Sequence, residues 1–237
     1  MPRFFLPPDS WADEAWLTGD EAKHLSQVLR IRVGETVTVF DGSGRRAEAV
    51  VREVMRDRAK LDLGPIVQTP APKPFVTLAL AIPKGKNMEL VVQKAVELGV
   101  SAIQPLVTRR TIVQPGEGKA EKWRRVALEA CKQCGLDYLP RIDEPLTFSE
   151  WLSKRDGNGG ALIASLAPGA RPMKDAVRAG DFPHAVTVLI GPEGDFTPEE
   201  TTAALTAGFQ PITLGINVLR AETAALFCLS ALRYEFD

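Results

Sequence analysis

Histidine is nearly missing from this 237-residue chain, with only His24 and His184, and cysteine occurs three times, at Cys131, Cys134 and Cys228. Two scattered histidines exclude a histidine-based metal site, and no Ser-His-Asp or Cys-His set can be assembled from them. An odd cysteine count, with no long apolar run between Met1 and Pro8, argues against a secreted disulfide framework. No stretch approaches the roughly 18 apolar residues of a membrane span, so no membrane partner is expected and the chain reads as cytoplasmic. Carboxylates paired at strand ends, as glycosidases need, are also missing. A formal net charge of −1 carries no nucleic-acid signal by itself. These absences leave chemistry in which positioning dominates, such as group transfer from an already reactive donor.

The charge that is present is unevenly spread. Residues 84–141 carry 11 basic and 6 acidic side chains, net +5, while residues 142–237 carry 7 and 13, net −6. A dipolar chain of this kind can present a basic face to phosphates, although solvated helix surfaces give the same counts.

Three prolines in Thr69-Pro70-Ala71-Pro72-Lys73-Pro74 make a stiff extended linker, which divides the chain into residues 1–68, 69–74 and 75–237. Before it, Thr36–Phe40, Ala47–Arg52 and Lys60–Leu63 alternate apolar and polar, with Asp41-Gly42 as a turn. Asp20 to Leu29 fits one short helix with Ala22, Leu25, Val28 and Leu29 on a single face. Short strands and one helix in fewer than 70 residues predict a small β-barrel.

After the linker the period changes. Phe75–Ile82 is continuously apolar, as in a strand buried on both faces. Met88, Val91, Val92, Ala95 and Val96 then follow helical spacing, with Asn87 as the expected N-cap and Gly99 as the stop. Strand-like segments recur at 102–107, 161–165, 186–190 and 211–214, alternating with helices near 119–134, after Thr197-Pro198-Glu199-Glu200, and at 221–234. Such alternation predicts an α/β fold with a mostly parallel sheet and helices on both faces, whose ligands bind beyond the carboxyl ends of the strands.

Several motifs sit where chemistry is expected. Cys131-Lys132-Gln133-Cys134 has the spacing of a redox pair or half a zinc site. No second ligand pair exists, however, and both cysteines fall on the apolar stripe of the 119–134 helix with Trp123, Val126, Ala127 and Ala130, so core packing is the expected role and no metal is expected. Ile190-Gly191-Pro192-Glu193-Gly194 ends one buried strand, and Leu214-Gly215-Ile216-Asn217-Val218-Leu219-Arg220 ends another. Neither is a dinucleotide or P-loop fingerprint. Two glycine-bearing loops at one sheet edge can nevertheless share a cleft, since glycine lets backbone approach a ligand. Arg220 stands beside that cleft, Glu222 in the first turn of the last helix suits the helix dipole, and Arg109-Arg110 closes another strand at the same edge.

On these residues the chain resembles the RsmE-type small-subunit ribosomal RNA uridine-N3 methyltransferases of the SPOUT class. The likeness rests on Arg3-Phe4-Phe5, His24-Leu25 with Val28-Leu29-Arg30 and Gly34, Lys84 to Glu89, Gln93 to Val100, the 190–194 loop, and Leu214-Gly215 through Leu219-Arg220-Ala221-Glu222-Thr223-Ala224. It departs at Asp195, where the family usually has glycine, and at Leu136, where it tends to have arginine. The resemblance implies a PUA-like β-barrel over 1–68 and a catalytic domain over 75–237 with a C-terminal trefoil knot. It further implies a homodimer, S-adenosylmethionine as methyl donor, and 16S ribosomal RNA or the small ribosomal subunit as substrate. Ser165, Ile190, Gly191, Pro192, Glu193, Gly194, Leu214, Gly215, Val218 and Leu219 are then the expected cofactor-binding residues. Arg220 and Glu222 are the catalytic candidates, and Arg3, Arg30, Arg32, Arg109 and Arg110 the candidate RNA contacts. A SPOUT enzyme acting on a ribose 2′-hydroxyl and a non-catalytic RNA-binding module are the alternatives.

Overall fold

A computed structural model of the chain describes residues 1–11, 14–167, 169–179, 182 and 184–236. It divides into two units, one of Met1–Ala71 with Leu128–Leu139, the other of Pro72–Ala127 with Pro140–Asp237.

In the first unit, β1 (Arg3–Phe5), β2 (Ala15–Thr18), β3 (Thr36–Phe40), β4 (Arg45–Val54), β5 (Arg58–Leu63) and β6 (Val67–Gln68) form one sheet in the order β1-β3-β4-β5-β2, with β6 also on β4. Among the described residues only β1 and β3 run parallel. Alternation does the folding here: Val37, Val39, Ala47, Ala49, Val51, Ala59 and Leu61 point to one side and join Phe4, Leu6, Leu17, Ala22 and Leu25 in a closed core. The helix expected over Asp20–Leu29 is corrected. It starts as α1 (Gly19–Lys23) and widens into a π turn over His24–Val28, where Leu29 N–H donates to His24 O at 2.9 Å. The wider turn breaks the helical spacing, so Ala22 and Leu25 are buried while Val28 and Leu29 are exposed.

The segment 128–139 joins this unit through polar contacts that no linear pattern announces. Lys132 is buried and pairs with Glu21 at 2.7 Å and Glu129 at 2.6 Å, and Glu21 also accepts from Phe5 N–H at 3.0 Å. These carboxylates hold the Lys132 ammonium above its ordinary pKa although burial, the largest single influence, opposes it. Asp137 accepts from Arg3 at 2.6 Å and from the Thr69 hydroxyl at 2.6 Å.

The second unit is a parallel sheet. Its strands are β7 (Phe75–Ala81), β8 (Ala102–Val107), β9 (Arg141–Ile142), β10 (Leu146–Thr147), β11 (Gly160–Ala164), β12 (Arg171–Pro172), β13 (Ala185–Ile190) and β14 (Gln210–Thr213). Their order is β10-β8-β7-β13-β11-β14-β12, with β9 beside β8 and every pair parallel. The helices are α2 (Asn87–Glu97), α3 (Lys119–Cys134), α4 (Phe148–Lys154), α5 (Met173–Ala179), α6 (Pro198–Thr206) and α7 (Ala221–Phe236). Ala79, Ile163 and Leu189 face α4 and α6 with Phe148, Trp151 and Ala204. The alternate residues Leu78, Leu80, Leu162 and Val188 are buried on the opposite face, where α7 packs on β7 and β13. All five predicted apolar positions of α2 are buried, and Gly99 ends that helix at φ 77°. Thr197 and Glu200 form the capping box of α6.

Two local expectations change. Asn87 is the first residue of α2 rather than its cap, and its amide donates to Glu222 at 3.1 Å. Cys131 is buried but Cys134 is exposed, because α3 turns its last residue outward. Burial pushes the Cys131 thiol up to about 12, with Cys134 adding to the shift, and burial alone takes Cys228 to about 12. Thiols so far above neutral pH make poor nucleophiles or redox centres.

Candidate cofactor cleft

Because every strand of the second sheet points the same way, the loops after β7, β8, β11, β13 and β14 emerge at one edge. There the loops after β11, β13 and β14 and the start of α7 enclose a cleft of about 600 Å³, counting its open mouth. Nine of the ten expected cofactor residues line it: Ser165, Ile190, Gly191, Pro192, Glu193, Leu214, Gly215, Val218 and Leu219. Gly194 does not; its carbonyl accepts from Arg110 at 2.5 Å. Asp195, Thr213 and Asn217 also line the cleft although they were not among the expected residues, as do Ala164, Leu166, Ala221 and Ala224, apolar residues without a chemical signature.

The loop after β13 is shaped by short-range bonds. Asp195 sits at φ 60°, a left-handed backbone that glycine adopts most readily and aspartate tolerates. Its N–H donates to Pro192 O at 2.8 Å and its Oδ1 accepts from Phe196 N–H at 2.7 Å. A Cβ on Gly191 would stand 3.1 Å from the Phe196 ring and 3.2 Å from Asp195 Oδ1, so a side chain there requires the ring or the carboxylate to give by a few tenths of an ångström. Phe196 is itself buried against the Phe148 ring, with centroids 5.5 Å apart. The loop after β14 turns on Gly215, at φ 119°, where any side chain is strained.

The arginines divide into two groups. Arg3 is not an open RNA contact: its guanidinium is held by Asp137 and the Leu136 carbonyl and lies 4.9 Å from the Phe40 ring centroid, with its side chain only 11% exposed. Arg110 is also spent internally, on the carbonyls of Gly194 and Phe196. Arg30, Arg32 and Arg220 are exposed and have no side-chain partner among the described residues, whereas the exposed Arg109 acts electrostatically on the Glu199 carboxylate. Arg30 has a positive φ of 53°. Arg109 also uses its backbone N–H, which donates to the buried Glu200 carboxylate at 2.9 Å. Arg220 and Glu222 flank the lining residue Ala221 without lining the cleft, and Glu222 is engaged by Asn87. Among the described residues no group of three or more His, Cys, Asp or Glu is arranged to hold a metal, and no helix is long and apolar enough to cross a membrane.

Comparison with known proteins gives this cleft a context. The RNA methyltransferase domain family matches residues 69–233, and the RNA methyltransferase PUA domain family matches residues 17–64. A ribosomal RNA small subunit methyltransferase E from Synechocystis is 35% identical over 215 residues, covering 90% of this chain and 71% of the relative. The crystal structure of a ribosomal RNA small subunit methyltransferase E from Neisseria gonorrhoeae, bound to S-adenosyl methionine, superposes with a TM-score of 0.90 at 33% identity, over 100% of this chain and 98% of that one. A putative methyltransferase from Legionella pneumophila, solved in complex with the bound cofactor SAM, gives 0.89 at 31% identity over 98% and 97%. With one family matching well over half of the residues and relatives this similar across nearly their full lengths, the chain belongs to the RNA methyltransferase family of the ribosomal RNA small subunit methyltransferases E.

Proposed function

We propose that this chain transfers a methyl group from S-adenosylmethionine to N3 of a uridine in 16S ribosomal RNA. The observation that carries the reading is the cleft between two glycine-bearing strand-end loops, in a chain whose structural relatives were solved with that cofactor. The lining fits such a molecule: Ile190, Leu214, Val218, Leu219, Ala221 and Ala224 offer apolar surface to a flat base, and the charged lining groups are carboxylates suited to a cation. Bound there, S-adenosylmethionine supplies an electrophilic methyl on a sulfonium.

The remaining work falls to side chains. Uridine N3 carries a proton at neutral pH, and negative charge develops on the base as that proton leaves. Arg220, exposed and without a side-chain partner among the described residues, is the proposed group that offsets that charge. Glu222 is the proposed proton acceptor, its carboxylate oriented by Asn87. A target atom inside a duplex is out of reach, so the nucleotide is extruded or single-stranded. Arg30, Arg32 and Arg109 are the proposed phosphate contacts. Following the resemblance, we also propose a trefoil threading of the C-terminal segment, a cytoplasmic enzyme and a homodimer. The exposed Phe227 and Tyr234 of α7, beside Met173 and Val177 of α5, support the dimer as an apolar hollow.

Titration calorimetry with S-adenosylmethionine, followed by nucleoside mass spectrometry of treated ribosomal RNA, tests the reading. Micromolar binding and 3-methyluridine support it. A 2′-O-methylated product points to a ribose methyltransferase, and RNA binding without cofactor binding points to a non-catalytic module. Arg220→Ala is expected to lose turnover while keeping cofactor affinity; normal turnover removes Arg220 from the mechanism.

A further inference from the structure

The charge of the cleft is one-sided. Among the described residues its lining holds two ionisable side chains, Glu193 and Asp195, both carboxylates, and neither lysine nor arginine. Glu193 is exposed, and its Oε1 accepts from Lys84 N–H at 3.2 Å. Asp195 is half-buried and fixed more firmly. Its backbone is held at φ 60° by the bond to Pro192 O, and one carboxylate oxygen is spent on Phe196 N–H. The second oxygen has no partner among the described residues. Aspartate tolerates this left-handed backbone, so the observation that matters is a fixed carboxylate with an unpartnered oxygen on a residue that lines a ligand cleft.

We infer that Asp195 is a specificity-determining residue of this cleft, whose carboxylate selects the cationic sulfonium donor over the neutral thioether product. The inference rests on the S-adenosylmethionine reading above. S-adenosylmethionine and S-adenosylhomocysteine share adenine, ribose, ammonium and carboxylate, and differ by one methyl and one positive charge. A fixed negative charge therefore changes the ratio of their affinities, whereas apolar contacts to the shared parts do not. A carboxylate that comes within roughly 7 Å of the sulfonium, at an effective dielectric near 40, moves the ratio by about five- to tenfold. The enzyme then holds its substrate and releases its product, which limits product inhibition.

The test is calorimetric titration of both ligands into the full chain and into Asp195→Asn, Asp195→Gly and Glu193→Gln, with melting temperatures to confirm folding. The ratio of S-adenosylhomocysteine to S-adenosylmethionine dissociation constants is expected to fall about five- to tenfold in Asp195→Asn, with product affinity changed less than about twofold. Asp195→Gly relaxes the backbone and is expected to show the same loss, which separates charge from loop shape. Glu193→Gln is expected to move the ratio less than about twofold, because that carboxylate is more exposed to screening water. Equal weakening of both ligands in Asp195→Asn assigns the residue to loop shape and overturns the inference, as does an unchanged ratio. A wild-type chain that binds neither ligand overturns the S-adenosylmethionine reading itself.

Discussion

The two loops that face each other across the cleft are built in opposite ways. The loop after β13 is braced: Arg110 holds the Gly194 and Phe196 carbonyls, Asp195 closes a turn onto Pro192, Phe196 anchors in the core, and Glu200 ties the capping box of α6 to Arg109. The loop after β14 is nearly unsupported: Ile216 is 100% exposed, Val218 is 75% exposed, and a pair of long bonds between Thr213 and Gly215 is its main internal tie. A braced wall presents its surface before the ligand arrives, so little ordering cost is left for binding. An open loop with unpaired apolar side chains is expected to be the part that orders around a ligand and so to bear that cost. A site made of one of each combines a fixed template with an adaptable cover.

The largest expected effect comes from forcing the open loop into a wrong shape. Gly215→Val places a β-branched residue at φ 119°, which costs about 2 kcal/mol and weakens cofactor affinity by roughly thirtyfold. Calorimetry and a melting curve check it together; unchanged affinity means that the cover adapts even to this backbone. Next comes removal of the brace. Arg110→Ala loses charge-assisted bonds to two carbonyls, worth about 1.5 kcal/mol or roughly tenfold in cofactor affinity. Were Arg110 a phosphate contact instead, the variant would leave cofactor affinity intact and reduce the salt slope of RNA binding.

A smaller effect is expected one step behind the brace. Thr197→Ala breaks the capping box of α6 and is expected to cost about 1 kcal/mol, or roughly 2–4 °C in melting temperature, with cofactor affinity nearly unchanged. The same helix start gives a pH signature. The Glu199 carboxyl is held below its ordinary range by its own backbone N–H and by Thr197, with help from Arg109 and Arg110. A lowered folded pKa means that its contribution is present above pH 4.5 and is lost as pH falls through the lowered value. Thr197→Ala is therefore expected to flatten the acid limb of the stability curve; a parallel curve would show that the backbone and the arginines hold this carboxyl unaided.

Much of this contrast was legible in the residues, and the exceptions have physical causes. Glycine loops ending parallel strands converge because the sheet has one polarity, so nine cleft residues could be named from local pattern and resemblance. The α2 stripe and the Thr197 box were legible because spacing and capping are local rules. Arg3 and Arg110 were not, because an arginine in sequence looks alike whether it meets a phosphate or a carbonyl 84 residues away. Lys132 beside Glu21, 111 positions apart, shows the same limit. The π turn at His24–Val28 escaped because one extra residue in a turn shifts a helical face without changing composition.

The smallest predicted effect bears most directly on the open wall. Ile216 is fully exposed and Val218 three-quarters exposed, so Ile216→Ser is expected to leave stability within about 0.5 kcal/mol. If the loop closes on the cofactor, the same change removes apolar area that is buried only in the complex. A loss of about 40 Å² at roughly 25 cal/mol/Å² amounts to about 1 kcal/mol, near fivefold in affinity. Most of that loss belongs in the dissociation rate, since closure follows encounter. Stopped-flow dissociation from wild type and variant separates the cases: a faster off-rate at equal stability identifies the loop as the cover, whereas identical rates leave Ile216 outside the complex and confine the adaptable wall to Val218 and Leu219.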